Sequence, residues 1–186
     1  MVEDQGPRFI LQAGDCITQP PEIRHQVLEA SDNLEVIEIG LPSDHMTTID
    51  HELKLPTDIY NPDRKYQGQT FSHHVKGQAI WNNWKHKGSV ARDTGILKAT
   101  ARVTSVTVAI PSNLNQLAND LKHQYDILFG FITSGRMKLL VDQEASANFS
   151  KGNAFVIPSG TDYSFSEFSD DLEVVIVYWK FSILKP

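Results

Sequence analysis

The chain holds 186 residues with 17 basic and 23 acidic side chains, a net charge of −6 and one cysteine, Cys16. That length supports one full domain and part of a second, and an acidic balance without a Lys/Arg run argues against nucleic acids and anionic membranes as partners. A lone cysteine excludes an intramolecular disulfide and points to a reducing cytoplasm; no basic-then-apolar start marks a leader, and no run approaches the ~20 apolar residues of a membrane span.

In chain order, short runs of β-branched and aromatic residues predict strands at 9–12, 34–39, 105–110, 127–133, 137–141, 154–157 and 172–179. Gly, Pro, Asn, Asp and Ser punctuate them. The 55–69 stretch carries Pro56 and Pro62 among many polar residues and reads as a linker. Ser112, a candidate N-cap, precedes Leu114, Leu117 and Leu121 at helical spacing, so a helix or a surface loop is expected there. Alternation at Tyr163-Ser164-Phe165-Ser166-Glu167-Phe168 predicts a strand with one wet face. Ser134-Gly135-Arg136 and Ser169-Asp170-Asp171 read as hairpin turns. The chain is therefore mostly β, with strands spaced for a barrel or sandwich.

An internal repeat runs at an offset of 138 residues, pairing Gly14 with Gly152, Pro20 with Pro158 and Glu29 with Glu167. In the same register Ser31-Asp32-Asn33-Leu34-Glu35-Val36 matches Ser169-Asp170-Asp171-Leu172-Glu173-Val174 at five of six positions. The later copy begins near Phe71, and the counterparts of Phe71 and His123 would fall ahead of Met1. The expected organisation is 1–54 as the trailing half of a first barrel, 55–69 as a linker and 70–186 as a complete barrel. Leading strands left without partners predict a homodimer built by strand exchange or edge pairing.

Gly14, Pro20, Glu22 and His25 carry a spacing that resembles the second motif of the cupin superfamily, with Glu22 in place of the motif's usual glycine. Gly152, Pro158, Gly160 and Tyr163 resemble the same motif with its histidine replaced, and His123 to Phe129 followed by Gly135 resembles a degraded first motif. The resemblance implies an all-β, cupin-like barrel of jelly-roll type with an additional half-cupin segment before it. Metal-binding cupins hold Fe, Mn, Zn, Ni or Cu with two histidines and a carboxylate from the first motif plus a histidine from the second. Here Tyr125, Leu128 and Tyr163 stand where three of those ligands belong, leaving His123 alone. The resemblance therefore implies no metal in the C-terminal barrel, and a metal at His25 only if the first barrel is completed by ligands from elsewhere.

Two readings follow. In the first the chain is a metal-free binding or assembly module whose His123, Tyr125 and Tyr163 orient a small polar ligand. In the second it is a metal-dependent enzyme, oxygenase-like, acting on a small organic substrate around His25. Fold analogy leaves the substrate, and whether the chain is an enzyme, open. Other histidines read as structural. His73 and His74 are neighbours on a strand and face opposite sides, while Trp81, Trp84 and His86 belong to early strands wrapping the barrel and its mouth. His45 and His51 read as surface residues, Arg92-Asp93-Thr94-Gly95 as a turn, and Cys16 as core rather than nucleophile.

Overall fold

The computed structural model describes residues 1–42, 44–114 and 120–180. The strands, in chain order, are β1 (Cys16–Thr18), β2 (Lys65–Tyr66), β3 (Gln69–Thr70), β4 (Ser72–His74), β5 (Asn82–Asn83), β6 (Ser89–Asp93) and β7 (Thr104–Pro111). There follow β8 (Leu121–Lys122), β9 (Ile127–Ser134), β10 (Arg136–Val141), β11 (Ala145–Ser150), β12 (Ala154–Pro158), β13 (Asp162–Ser166) and β14 (Glu173–Trp179). One short helix, α1 (Ile96–Ala99), lies between β6 and β7. The chain divides into two units, Met1–Leu11 with Gln19–Phe71, and Gln12–Thr18 with Ser72–Pro186.

The second unit is the barrel. Apolar alternation in β9 and β14 puts one residue in two on a buried face, and this period of two is what lets a sheet bury one side. A six-stranded antiparallel sheet runs β12-β9-β14-β7-β6-β5, and a four-stranded one runs β11-β10-β13-β8. Leu128, Ile132, Phe155, Ile157, Val174 and Ile176 from the larger sheet meet Met137, Leu139 and Phe165 from the smaller in one core. Burying each such side chain contributes about 1.5–3 kcal/mol. Gly130 lies directly under the ring of Phe155, where a Cβ would clash. The expected strands at 105–110, 127–133, 137–141, 154–157 and 172–179 all form, within a residue or two of their bounds.

Two strand expectations are corrected, and the stretch expected as a helix or a surface loop starts without a helix. Residues 9–12 and 34–39 are not strands, although they carry strand-type side chains. Ser112 and Asn113 are not helical, and their N–H groups donate to the Gly88 carbonyl at 2.8 and 3.1 Å. Leu117 lies outside the described residues, and Leu121 belongs to β8.

The first unit has few strands and a small core of Val2, Ile23 and Tyr66, with Phe9 and Phe71 packed against it. Its order comes largely from polar contacts. Buried Glu3 and Asp4 meet Arg64 Nη1 at 2.8 and 2.6 Å, and Arg24 Nη1 reaches Glu3 at 3.2 Å. The Thr57 hydroxyl donates to Asp4 Oδ1 at 2.7 Å. Burial alone would raise the Asp4 pKa, but Thr57 and Arg64 override it and hold the carboxyl below its usual range. The 55–69 stretch, expected as a linker, supplies Thr57, Arg64 and Tyr66 to this cluster and contains β2.

The internal repeat survives as turn geometry. The Asp15 N–H donates to the Gln12 carbonyl and that of Asn153 to the Ser150 carbonyl, both at 2.9 Å. Within the same turns the Gln12 N–H donates to Asp15 Oδ2 at 3.0 Å and the Ser150 N–H to Asn153 Oδ1 at 2.9 Å. Ile23 to Pro20 (3.3 Å) matches Thr161 to Pro158 (3.4 Å), and Leu34 to Ser31 matches Leu172 to Ser169, both 3.1 Å. Gly14 and Gly152 have φ of 90° and 85°, and Glu22 adopts 64° where Gly160 adopts 78°. The core does not survive with the turns. Leu34 and Val36 are 57% and 71% exposed, whereas their counterparts Leu172 and Val174 are 4% and 2% exposed.

Two predictions follow from these turns. A Cβ at Gly135, where φ is 73°, would stand 2.6 Å from the backbone of Leu172, whereas one at Gly152 meets nothing within 4 Å. Urea unfolding should show Gly135→Ala losing about 2–4 kcal/mol and Gly152→Ala about 1 kcal/mol, the first adding a backbone clash to the strain of a left-handed residue. Glu22→Gly should gain about 0.5–1 kcal/mol by the same measurement, because it removes the left-handed penalty of a side chain held on the surface.

Candidate functional site

The larger part of the site is built by four elements of the barrel. The bend between β5 and β6 presents Trp84, Lys85 and His86; the segment between β8 and β9 presents His123 and Tyr125; β13 and β14 present Tyr163 and Tyr178. Trp84 is pinned by its N–H donating to the Ser89 carbonyl at 3.0 Å. Its ring sits 4.4 Å from that of His86, which stacks on Phe165 at 4.4 Å and 22°. His86 lies 5.6 Å from Tyr163, and His123 lies 6.1 Å from Tyr163 and 6.3 Å from Tyr178, ring centre to ring centre. Tyr125 packs on Tyr178 at 4.6 Å. Lys85 is exposed as a residue, but its ammonium end turns in over the Tyr178 ring, 4.3 Å from the centroid.

Among the described residues, four buried polar atoms in this cluster have no hydrogen-bond partner: His86 Nε2, His123 Nδ1 and the hydroxyls of Tyr163 and Tyr178. The two hydroxyls are close enough to couple electrically but do not meet in hydrogen-bond geometry. Each unsatisfied buried group costs about 1–3 kcal/mol, and native interiors hold few of them. Their protonation states follow from burial. Desolvation, assisted by the Lys85 charge, pushes His86 down to about 3. It also lowers His123, and the His123 Nε2–H donates to the Ile157 carbonyl at 2.9 Å. A neutral ring with its proton on Nε2 leaves Nδ1 as an acceptor. Burial raises Tyr163 to about 12 and Tyr178 further, so both remain phenols able to donate. Desolvation lowers Lys85 to about 8. The cluster thus offers two hydroxyls and one fixed imidazole acceptor beside the Lys85 ammonium.

His123, Tyr125 and Tyr163, the residues singled out from sequence, come together around Tyr178. Lys85 went unnoticed, His86 was read as a structural residue and Tyr178 was missed. The first two lie in a bend with no motif to mark it, and Tyr178 is hidden in the apolar run of β14. His25 lies elsewhere, exposed on an isolated β-bridge with Val2. Among the described residues no three His, Cys, Asp or Glu side chains group to hold a metal ion. The barrel cluster does not fit one on chemical grounds either. It has no carboxylate, His123 Nε2 is committed to a carbonyl, and a resident ammonium already acts electrostatically on both imidazoles.

A second buried cluster lies on the other face of the larger sheet. Ala91 points into the core, so Arg92, next on β6, points away from it and is 1% exposed. Its Nη2 donates to the Gly14 carbonyl at 2.7 Å, while Nε and Nη1 have no partner among the described residues. His74 Nε2 is likewise unpartnered, whereas His73 Nε2 meets Asp15 at 3.3 Å. Lys76 Nζ meets Glu173 Oε2 at 2.8 Å, and the Thr133 hydroxyl donates to Glu173 Oε1 at 3.0 Å. Burial would raise the Glu173 pKa, but Lys76, Thr133 and Arg92 together hold it below its usual range. Cys16 is half-buried on β1, and burial raises its thiol pKa. Arg92 and Asp93 belong to β6 rather than to the expected turn, which begins at Thr94 and is closed by the Gly95 N–H donating to Asp93 Oδ1 at 2.9 Å.

The barrel is all-β and antiparallel, and several solved structures have a weak likeness to it at low sequence identity. KdgF from Halomonas sp. is 15% identical, with a TM-score of 0.47 over 57% of this chain and 90% of that one. The Cnp3 cupin domain of Schizosaccharomyces pombe is 11% identical, with a TM-score of 0.47 over 62% and 81%. An iron(II) form of HppE is 11% identical, with a TM-score of 0.47 over 57% of this chain and 59% of that one. No protein-family profile and no curated protein matches the chain. These likenesses concern fold and say nothing of substrate.

The buried imidazoles make stability depend on pH. His86 has a folded pKa of about 3 against 6.5 for the free side chain, so the unfolded chain takes up its proton first as the pH falls. Stability present above pH 6.5 is therefore lost progressively down to about pH 3, and lowered His74 and His123 act in the same direction. His86→Phe keeps the ring stacking and removes this titration. Urea unfolding at pH 7 and pH 5 should show the variant losing about 2 kcal/mol less than the wild type between the two.

Proposed function

We propose that the C-terminal barrel is a metal-free binding site for a small polar molecule, held between the β5–β6 bend and the tyrosines of β13 and β14. One observation carries this reading: four buried polar atoms without partners converge in a single aromatic cluster. Proteins retain unsatisfied buried groups where function needs them, since each lowers stability. The chemistry of those atoms defines the ligand class. Two phenol hydroxyls call for acceptor oxygens, and His123 Nδ1 calls for a hydroxyl or amine proton. A small hydroxy acid meets both demands. Trp84 and Phe165 also border a narrow apolar cleft with Met137 and Val174, which suits a short hydrocarbon portion.

Titration calorimetry with lactate, a hydroxy acid of this class, tests the proposal. The wild type should bind with a Kd at or below about 1 mM, a plausible limit for so few atoms. Tyr178→Phe, which deletes one donor, should weaken binding about 5- to 20-fold. Metal analysis of tag-free protein by mass spectrometry is the complementary check. About one transition-metal ion per chain, bound in the barrel, would sink the metal-free reading.

A further inference from the structure

We propose that the outer face of the larger sheet binds one small monovalent anion, a halide or a formate-sized carboxylate, on Arg92 and His74. This site is separate from the barrel cluster and stands independently of it. A guanidinium keeps its charge at any pH where proteins fold, so a buried one without a counter-charge must find it elsewhere.

Arg92 is buried in that way. It is 1% exposed and takes part in none of the ion pairs among the described residues. The Gly14 carbonyl accepts from its Nη2 at 2.7 Å, and among those residues Nε and Nη1 have no acceptor. The Trp81 ring borders the guanidinium, 5.8 Å from centroid to carbon.

The carboxylates nearby are already engaged. Glu173 gives Oε2 to Lys76 at 2.8 Å and Oε1 to Thr133 at 3.0 Å. Asp15 accepts the backbone N–H groups of Lys76 and Gln12 at 2.9 and 3.0 Å and meets His73 at 3.3 Å. Asp93, next along β6 and so on its other face, accepts the Gly95 N–H at 2.9 Å. These groups attract Arg92 through space and give it no hydrogen bond. Residues 43, 115–119 and 181–186, outside the described set, include no Asp or Glu side chain.

His74 supplies the second contact. It stands opposite Cys16 in the β1–β4 pairing, two residues from the Gly14 carbonyl that Arg92 holds, and its Nε2 is buried without a partner among the described residues. Burial and the Arg92 charge lower its pKa, so at neutral pH it is an uncharged ring that donates through a proton on Nε2. Near-complete burial of Arg92 restricts the ligand to a few atoms, and one unanswered positive charge selects a monoanion. Bonded to both side chains, that anion clasps β4 to β6.

Chloride is the probe. Raising it from about 5 to about 500 mM, with methanesulfonate holding ionic strength constant, should raise the wild-type Tm by about 4–8 °C for a Kd of about 10 mM. Chlorine-35 NMR of the same protein should show line broadening that formate displaces. Arg92→Met keeps the apolar stem beside Trp81, removes the charge and should abolish both responses. Lys151→Met, at an exposed lysine, should leave both in place. His74→Phe should weaken chloride binding about 3- to 10-fold. A wild type indifferent to chloride overturns the proposal, as does an equal response in wild type and Arg92→Met. If Arg92→Met does not fold, His74→Phe decides, and unchanged chloride affinity there overturns it.

Discussion

The barrel is registered on β14, which pairs along its length with β9 on one side and β7 on the other. No other strand carries so many consequences. Its inward positions place Val174 and Ile176 in the core and Tyr178 in the polar cluster, while Glu173 at its start joins Lys76 and Thr133 on the outer face. A strand in the middle of a sheet must satisfy hydrogen bonds on both edges, so its register cannot slip without moving every side chain to the wrong face. The position of Tyr178 relative to His123 and Tyr163 is therefore fixed by backbone pairing rather than by contacts within the site. That is the kind of support a binding constellation requires.

The repeat separates what is local in a fold from what is not. Turns at Gln12–Asp15, Pro20–Ile23 and Ser31–Leu34 keep the hydrogen bonds of their counterparts because all donors and acceptors lie within three residues. The strand that should follow the last of these turns does not form, because a strand needs neighbours. Leu34 and Val36 have the same side chains as Leu172 and Val174, yet only the later pair leads into a strand with β7 and β9 beside it, and only that pair is buried. The first unit compensates with charge, placing Glu3 and Asp4 among Arg24, Arg64 and Thr57. Breaking one member of such a buried set leaves its partners uncompensated, so order there depends on the whole cluster.

That same distinction sets how much was legible in the sequence. Runs such as Val174-Val175-Ile176-Val177 and Phe129 to Thr133 announced themselves, because β-branched and aromatic residues suit a half-buried pleat. The 34–39 run has the same composition and was misread, since composition reports suitability for a strand and not the presence of a partner. β11 was missed for the opposite reason: Ala145-Ser146-Ala147-Asn148 has weak strand preference and is held by pairing with β10. At the site, His123, Tyr125 and Tyr163 were visible through motif positions. Lys85 and His86 were not, because their importance comes from a bend that folds them over rings more than thirty residues away in the chain.

The site and the core act against each other, and Lys85 sits where they meet. An ammonium over aromatic rings gains cation–π attraction but loses hydration, and its field further disfavours protonation of His86 and His123. The result is a cluster with one mobile positive charge and several neutral, fixed dipoles. Bringing in a dication would set it against that charge, whereas an acceptor oxygen would satisfy the unpartnered hydroxyls. Ligand binding and stability are then linked through the same atoms: whatever satisfies Tyr163, Tyr178 and His123 must also stabilise the barrel, in proportion to how far it fills the gaps in their hydrogen bonding. A cluster kept only for packing would have been better served by phenylalanine at both tyrosine positions, which would bury the same rings without the unsatisfied hydroxyls.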